Sequence, residues 1–128
     1  MPKKSSVPKS IEAESFCLRD AKGKMRMRLY VDDDYGPVFE LKDSKERSRL
    51  TIQLDKGGRP LIRLSNAKEQ SALGIGTDDT GDTGFTIFHP DGKPAFSFGT
   101  RTQNNSLHAS AFDQTGNVIW QSISKTDS

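Results

Sequence analysis

The sequence predicts an all-β protein: an up-and-down antiparallel meander of about ten strands, made from five 23-residue hairpin repeats. Three observations support this fold class. Hydrophobic residues recur every 23 residues, apolar and polar residues alternate, and turns rich in Asp and Gly separate the alternating segments. The short connections favour a sheet that is closed or strongly curled into a barrel-like shape, and a hairpin solenoid is the alternative.

Four hydrophobic columns keep the 23-residue step over four copies of the repeat. The columns contain Phe16, Phe39, Ile62 and Phe85; Leu18, Leu41, Leu64 and Ile87; Met27, Leu50, Leu73 and Phe96; and Leu29, Ile52, Ile75 and Phe98. A polar column at the same spacing marks one turn of each unit, at Asp20, Asp43, Asn66 and His89. A fifth, degenerate copy begins near Ala109 after a one-residue insertion. This register predicts a repeat architecture.

The first unit illustrates the hairpin. Residues 16–19 and 25–31 alternate apolar and polar side chains, which is typical of half-buried antiparallel strands. The turn at residues 20–23 begins with an Asp, whose carboxylate can accept bonds from nearby backbone N–H groups, and ends with a Gly that tolerates positive φ. A second turn, at residues 32–37, leads into the next unit.

Each strand is predicted to turn its apolar face inward and its polar face to solvent. In the fourth strand, Leu50 and Ile52 are expected to be buried, whereas Arg49 and Thr51 are expected to be exposed. An apolar face of this size needs a cover, and the only edge strands are expected at the two ends of the meander, where another copy could add.

Composition limits the core. Leu, Ile, Val and Phe together make up 27 of the 128 residues, which disfavours the deep multilayer core of many enzymes. We expect one domain at residues 12–123, between a disordered basic tail at residues 1–11 and a disordered tail at residues 124–128. No apolar run approaches the length of about 18 residues of a membrane span, and the N-terminus lacks the apolar stretch of a signal peptide. A cytoplasmic location without a membrane span is therefore expected.

The formal net charge of +2 conceals an asymmetry. Residues 1–68 carry 16 Lys and Arg against 10 Asp and Glu, whereas residues 69–128 carry 3 against 7. A low net charge disfavours general nucleic-acid binding, which needs dense neutralisation of phosphates. Halves of opposite charge favour docking on an acidic protein surface, or association of the chain with itself.

A basic group on the polar face is the candidate partner-binding site. It contains Arg19, Arg26, Arg28, Tyr30, Lys42, Arg49 and Arg63, which project from neighbouring predicted strands of the first three repeats. Guanidinium groups pair bidentately with carboxylate or phosphate, and a tyrosine ring adds a surface for stacking. The competing interpretation is a solvated face that discourages aggregation.

The sequence does not indicate a metal site or a catalytic site. The acidic segments at residues 32–36 and 78–82 are interpreted as hairpin turns rather than calcium sites, because no Glu follows at the spacing of an EF-hand. His89 and His108 lack a metal-ligand spacing, and Cys17 is predicted on the polar face without an orienting base. We expect no metal, no cofactor, no catalytic residue and no enzymatic activity.

The consensus of the units, F-x-L-x-D-x-x-G-K-x-R followed by a hydrophobic strand and D-x-x-G-x-P, is represented best by residues 16–26. Over roughly residues 12–123 the chain resembles a widespread, functionally uncharacterised group of bacterial hairpin-repeat proteins. The resemblance implies a fold type and a bacterial source. It implies no catalytic residue.

Two functions follow from these features. The first is a non-catalytic structural or interaction module, an accessory subunit of a larger assembly or a self-associating protein, that docks through the Arg-rich face. The alternative is a ligand-binding module for carbohydrate or an anionic polymer, which would use the same Arg and Tyr side chains.

Overall fold

Alternating apolar and polar segments separated by tight turns produce one antiparallel sheet of ten strands. A computed structural model describes residues 6–122 of the chain. The strands are β1 Ser15–Arg19, β2 Met25–Asp32, β3 Gly36–Lys42, β4 Ser48–Leu54, β5 Pro60–Ser65, β6 Ser71–Thr77, β7 Thr83–Phe88, β8 Pro94–Arg101, β9 Ser106–Phe112 and β10 Val118–Gln121. This part of the chain contains no helix, so it has no helix that could span a membrane.

Each strand pairs with its neighbours in the chain, and the strand order in the sheet is the order in the sequence. This confirms the predicted ten-stranded meander. The turns that follow the odd-numbered strands lie along one border of the sheet, here called the first border. The turns that follow the even-numbered strands lie along the opposite border, the second border.

The sheet is open, so the closed-barrel form of the prediction is wrong. Among the described residues, β1 pairs with β2 and β10 pairs with β9, but β1 and β10 do not pair with each other. The register explains why. Phe16 pairs with Leu29, and the same row of partners continues straight across to Ala109 in β9 without drifting along the strands. Closing a barrel requires a progressive stagger of the register, which these hairpins do not accumulate.

Seven of the turns share one backbone geometry. In the first, the N–H of Asp20 donates to the carbonyl of Lys24, and the N–H of Gly23 donates back to the carbonyl of Asp20. The fourth residue of each such turn has positive φ, which a glycine adopts without strain. Two of these seven positions hold a glutamate instead: Glu46 has a φ of 59° and Glu69 a φ of 61°.

An irregularity of register also recurs at a 23-residue step. The pairing shifts after Leu18, Leu41, Leu64 and Ile87, next to each turn of the first border up to the fourth unit. A bulge of this kind leaves one residue unpaired in the ladder and increases the local twist. The four first-border hairpins therefore share a bulge at equivalent positions.

The sheet is a single layer within residues 6–122, and its interior is very small. The buried residues with apolar side chains are Val38 and Ala109, and the buried polar residues are Thr51 and Ser65. The strands extend from Ser15 to Gln121, within the predicted domain at residues 12–123. Of the two predicted tails, residues 1–5 and 124–128 lie outside the described residues.

Candidate interaction surfaces

The apolar residues of the sheet form two rows that cross nearly all of its strands on one side. The first row contains Phe16, Leu29, Phe39, Ile52, Ile62, Ile75, Phe85, Phe98 and Ala109, and the second contains Leu18, Met27, Leu41, Leu50, Leu64, Leu73, Ile87, Phe96, Ala111 and Trp120. These two rows are called the apolar face below, and the opposite side of the sheet is the polar face.

Much of the apolar face is open to solvent. Ile52 and Ile87 each retain 45% of their accessible surface, and Trp120 retains 53%. Their neighbours along the rows shield the flanks of these side chains, but no second layer of the described chain covers their ends. Large exposed apolar patches are uncommon on monomeric proteins and mark surfaces that contact something else.

Aromatic side chains occupy the C-terminal part of the apolar face. The ring of Phe85 lies 5.7 Å from that of Phe98 and 6.3 Å from that of Phe96, centroid to centroid. Phe96 on β8 stacks on Trp120 on β10, with 6.4 Å between the ring centroids. The two rings meet above β9, where their common cross-strand partner is the small Ala111. Pairs at these distances prefer offset or tilted arrangements, which fix the rings relative to one another.

The burial predicted for the fourth strand is therefore wrong, although the assignment of residues to the two faces is right. Ile52 is exposed, Leu50 is only half-buried, and Arg49 is half-buried, whereas Thr51 retains 4% of its surface. Thr51 is small and pairs between Glu40 and Arg63, whose longer side chains extend beyond it on the polar face. In a single-layer sheet, burial depends on the size of the neighbours rather than on polarity.

Two of the predicted partner-binding arginines connect successive repeats. The Nε of Arg26 donates to the carbonyl of Lys42 at 3.2 Å, and the Nε of Arg49 donates to the carbonyl of Ser65 at 2.8 Å. Each guanidinium also pairs with the carboxylate that opens its own hairpin, Arg26 with Asp20 at 3.5 Å and Arg49 with Asp43 at 3.3 Å. These side chains hold adjacent hairpins together, which the sequence analysis did not anticipate.

The other predicted residues are dispersed. The guanidinium of Arg28 lies 3.9 Å from the ring centroid of Tyr30, and Arg19 donates to the carbonyl of Gly23 at 3.0 Å in its own turn. Arg63 is on β5, three strands from Arg28, and its buried Nε has no hydrogen-bond partner among residues 6–122. The structure thus brings Arg28 and Tyr30 together and leaves Arg19 and Arg63 apart from them.

Lys42, the remaining member of the predicted basic group, is also paired. Its ammonium lies 2.6 Å from the carboxylate of Glu40, two residues earlier on β3, and donates to the carbonyl of Glu46 at 3.3 Å. The charge of Lys42 is therefore balanced within its own hairpin. The polar face carries fewer uncompensated cations than its sequence suggests.

Two further contacts between repeats were missed. The Oε1 of Glu46 accepts a bond from the N–H of Met25 at 2.9 Å, and the Oε1 of Glu69 accepts one from the N–H of Ser48 at 3.0 Å. The recurrence of Glu at a 23-residue step, in place of the usual turn Gly, was the available clue. Met25 and Ser48 directly follow the first-border turns, so each Glu satisfies a backbone donor of the preceding repeat.

Cations on the same border repeat the pattern. Lys24 donates through Nζ to the carbonyl of Ser44 at 2.9 Å, and Arg47 donates through Nη1 to the carbonyl of Ala67 at 2.7 Å. Because each contact runs from one turn to the next, charge-assisted bonds link the first three turns of the first border.

The aspartate carboxylates in the turns accept hydrogen bonds from residues of their own turns. The Oδ1 of Asp113 accepts bonds from the backbone N–H groups of Thr115 and Asn117 at 2.9 Å each. The hydroxyl of Thr115 is the main cause that lowers the pKa of Asp113 to about 2, and these N–H groups add to it. The guanidinium of Arg47 is the main cause that holds the pKa of Asp43 far below its usual range. In the second acidic segment, Asp78 bonds to Thr80 in the same way, as its predicted role in a turn requires.

The polar face contains a shallow groove with a volume of about 560 Å³ over β6 to β9. Its floor is a row of cross-strand partners, Gly76, Gly84 and Gly99, next to His108. A Cβ on Gly76 would lie 2.8 Å from the carbonyl oxygen of Pro60, and one on Gly84 would overlap that of Phe98. The glycines therefore allow close packing of the backbone within the sheet, which accounts for the groove.

No protein-family model matches this chain, and no curated protein is detectably similar to it in sequence.

Proposed function

We propose that this protein is a non-catalytic structural module that assembles with a protein partner through its apolar face. One observation carries the proposal: two rows of apolar side chains cross the sheet, and they remain substantially exposed. Removing such side chains from water is the main favourable term in protein association. A single layer with so few buried residues is also stabilised further when this face is covered.

The contacts between repeats support the same function. The bonds made by Arg26, Arg49, Glu46 and Glu69 join the first three hairpins to one another. A sheet stiffened in this way presents its apolar rows in a fixed geometry, and a pre-organised surface loses less conformational freedom on binding.

The polar face is a second candidate docking surface, favoured by the contact of Arg28 with Tyr30. A guanidinium stacked on a ring keeps its N–H groups directed outward, where they can bind a carboxylate of an acidic partner or a phosphate of an anionic polymer. Arg28→Glu tests this surface while leaving the contacts of Arg26 and Arg49 unchanged. A partner held by the apolar face tolerates that substitution.

The experiment for the apolar face compares two variants of the full chain. Ile52→Gln with Ile75→Gln places two amides at exposed positions of one row, and Arg28→Gln is the control on the polar face. Sedimentation of the native protein from its source should give particles heavier than the 14.2 kDa chain for the wild type and the control. The double variant should release a folded single chain. A folded wild-type chain that sediments alone in the native extract contradicts the proposal.

A further inference from the structure

We infer that a second copy of this chain covers the apolar face, with the two sheets packed face to face and their strand orders reversed. This inference rests on the proposed function, because it names the occupant of the same surface. In this arrangement β1 of one copy lies over β10 of its partner, and the two-fold axis runs along the strands between β5 and β6. The strands of the two sheets cross at about 30° or less, as in aligned β-sandwiches.

The area of the face suits such a dimer. Ten strands spaced about 4.8 Å apart give a width of about 48 Å, and two rows of side chains cover about 14 Å along the strands. Covering both faces would bury on the order of 1,300 Å² in total, before the relief of the side chains is counted. Stable specific interfaces begin at about 1,200 Å², and obligate homodimers have the more apolar ones.

Charge complementarity selects the reversed order. Of the described residues, 6–68 carry 14 Lys and Arg against 10 Asp and Glu, whereas 69–122 carry 2 against 6. The boundary falls in the turn between β5 and β6, which is the middle of the sheet. Reversed stacking places the basic half of each copy over the acidic half of the other, whereas β1 over β1 would place like charges together.

Individual charges in the turns of the second border are complementary as well, although in the first contact an acidic residue of the basic half faces a basic residue of the acidic half. In the reversed order, residues 32–36 lie against residues 101–105 of the partner, so that the exposed Asp33 faces the partner's Arg101. Residues 55–59 lie against residues 78–82, so that Lys56 faces the partner's Asp79, whose side chain is 82% exposed although it also pairs with Arg59 of its own chain at 2.9 Å. Each contact occurs twice because of the symmetry.

The side chains of the two halves also differ in a complementary way. The Phe residues of β7 and β8 would pack against β4 and β3 of the partner, where Ile52, Leu50 and Leu41 are aliphatic and Phe39 is the one aromatic residue of the two rows. The small Ala109 and Ala111 of β9 would receive Leu29 and Met27 from β2. Large residues opposite small ones allow two faces to interdigitate.

Two residues that occur only once in the sequence, a cysteine and a tryptophan, allow the arrangement to be tested on the wild-type chain. Cys17, the only cysteine, is exposed on β1, and a spin label there reports the distance between the two ends of the dimer. Reversed stacking separates the labels by nine strand spacings, roughly 43 Å, whereas β1 over β1 brings them within roughly 20 Å. The only tryptophan, Trp120, should lose exposure to a soluble quencher as the dimer forms.

The purified chain should sediment at twice 14.2 kDa in a concentration-dependent equilibrium, with a label distance near 40 Å. Asp33→Lys or Arg101→Glu alone should raise the Kd of the dimer about fivefold, and both together should restore it. A dimer with the short distance overturns the reversed order, and a series of higher oligomers indicates addition at the edge strands instead.

If the purified chain stays monomeric, a second copy does not cover the apolar face and the inference is wrong. That result leaves the proposed function standing if the native particle is still heavier than the chain and still depends on Ile52 and Ile75. If the native protein is also a folded single chain, both the inference and the proposed function fail.

Discussion

The backbone N–H of Met25 donates a 2.9 Å hydrogen bond to Oε1 of Glu46, a residue that adopts a φ of 59° in the next first-border turn. Left-handed φ is unfavourable for a residue with a Cβ, by roughly 1–2 kcal/mol. The same combination recurs in Glu69 with Ser48. Each glutamate thus adopts a strained backbone conformation, and its side chain makes a hydrogen bond that joins two repeats.

This combination of strain and hydrogen bond predicts an ordered series of stabilities. Glu46→Ala keeps the strained φ and loses the bond, so it should lower the free energy of unfolding by about 1 kcal/mol. Glu46→Gly also loses the bond but relieves the strain, so it should lie within about 0.5 kcal/mol of the wild type. Urea denaturation of the three proteins checks the order. If the Gly variant is the less stable of the two, the strain argument is wrong.

The role of Arg49 as a connector gives a second prediction. Arg49→Ala removes the bonds to the carbonyl of Ser65 and to Asp43, and it should destabilise the fold by on the order of 1 kcal/mol. Arg28→Ala removes a contact with a tyrosine ring and should cost less. Thermal unfolding in 0.1 M and 0.5 M salt is the measurement. Equal stability of the two variants would show that Arg49 is a free surface residue, as the sequence analysis proposed.

Local patterns account for the part of the fold that was predicted. Alternation and Asp/Gly turns act over a few residues, so strands such as β4 and turns such as residues 20–23 could be located without knowing the rest of the structure. Closure could not be predicted in this way, because it depends on the stagger summed over every pair from Phe16 to Ala109.

The surfaces were predicted less well, for a similar reason. Whether Ile52 is buried depends on a second layer, and alternation shows only that one face is apolar. The bonds of Arg26 to Lys42 and of Arg49 to Ser65 depend on where the next hairpin lies. The sequence does show that Arg26 and Arg49 are 23 residues apart and so occupy the same position in two repeats. That spacing does not reveal which atoms the two side chains contact.

Acid should weaken this sheet through its turn carboxylates. Hydrogen bonds lower the pKa of Asp43, chiefly from Arg47, and that of Asp113, chiefly from Thr115, relative to the usual value of 3.8. A depressed pKa in the folded state contributes stability above the unfolded pKa, and this contribution is lost as the pH falls through the folded value. For Asp113 the loss should occur between pH 4 and about pH 2.

Asn66 provides a control for the acid effect, because it accepts the same two backbone bonds in an equivalent turn without titrating. Asp43→Asn with Asp113→Asn should therefore keep the turns and reduce the slope of unfolding free energy against pH below pH 4. Urea midpoints measured from pH 2 to pH 7 check this expectation. An unchanged slope in the double variant contradicts the assignment of the effect to these two turns.

Two glycines of the polar face, one inside the glycine row and one outside it, supply a matched pair of substitutions. Gly84 and Gly74 both lie in strands with ordinary φ, on the same face and on neighbouring strands. A Cβ on Gly84 would overlap the carbonyl oxygen of Phe98, which belongs to the backbone of β8 and cannot rotate away. A Cβ on Gly74 would meet the ring of Phe88 at 3.7 Å, which is an ordinary contact.

Gly84→Ala should consequently force β7 and β8 apart and destabilise the sheet by about 2 kcal/mol or more. Gly74→Ala should be neutral or should stabilise by about 0.5 kcal/mol, because alanine restricts the unfolded chain more than glycine does. Amide hydrogen exchange locates the effect: Gly84→Ala should speed exchange in β7 and β8, which form the aromatic part of the apolar face. If both variants unfold at the same urea concentration, the two backbones do not approach closely, and the groove needs another explanation.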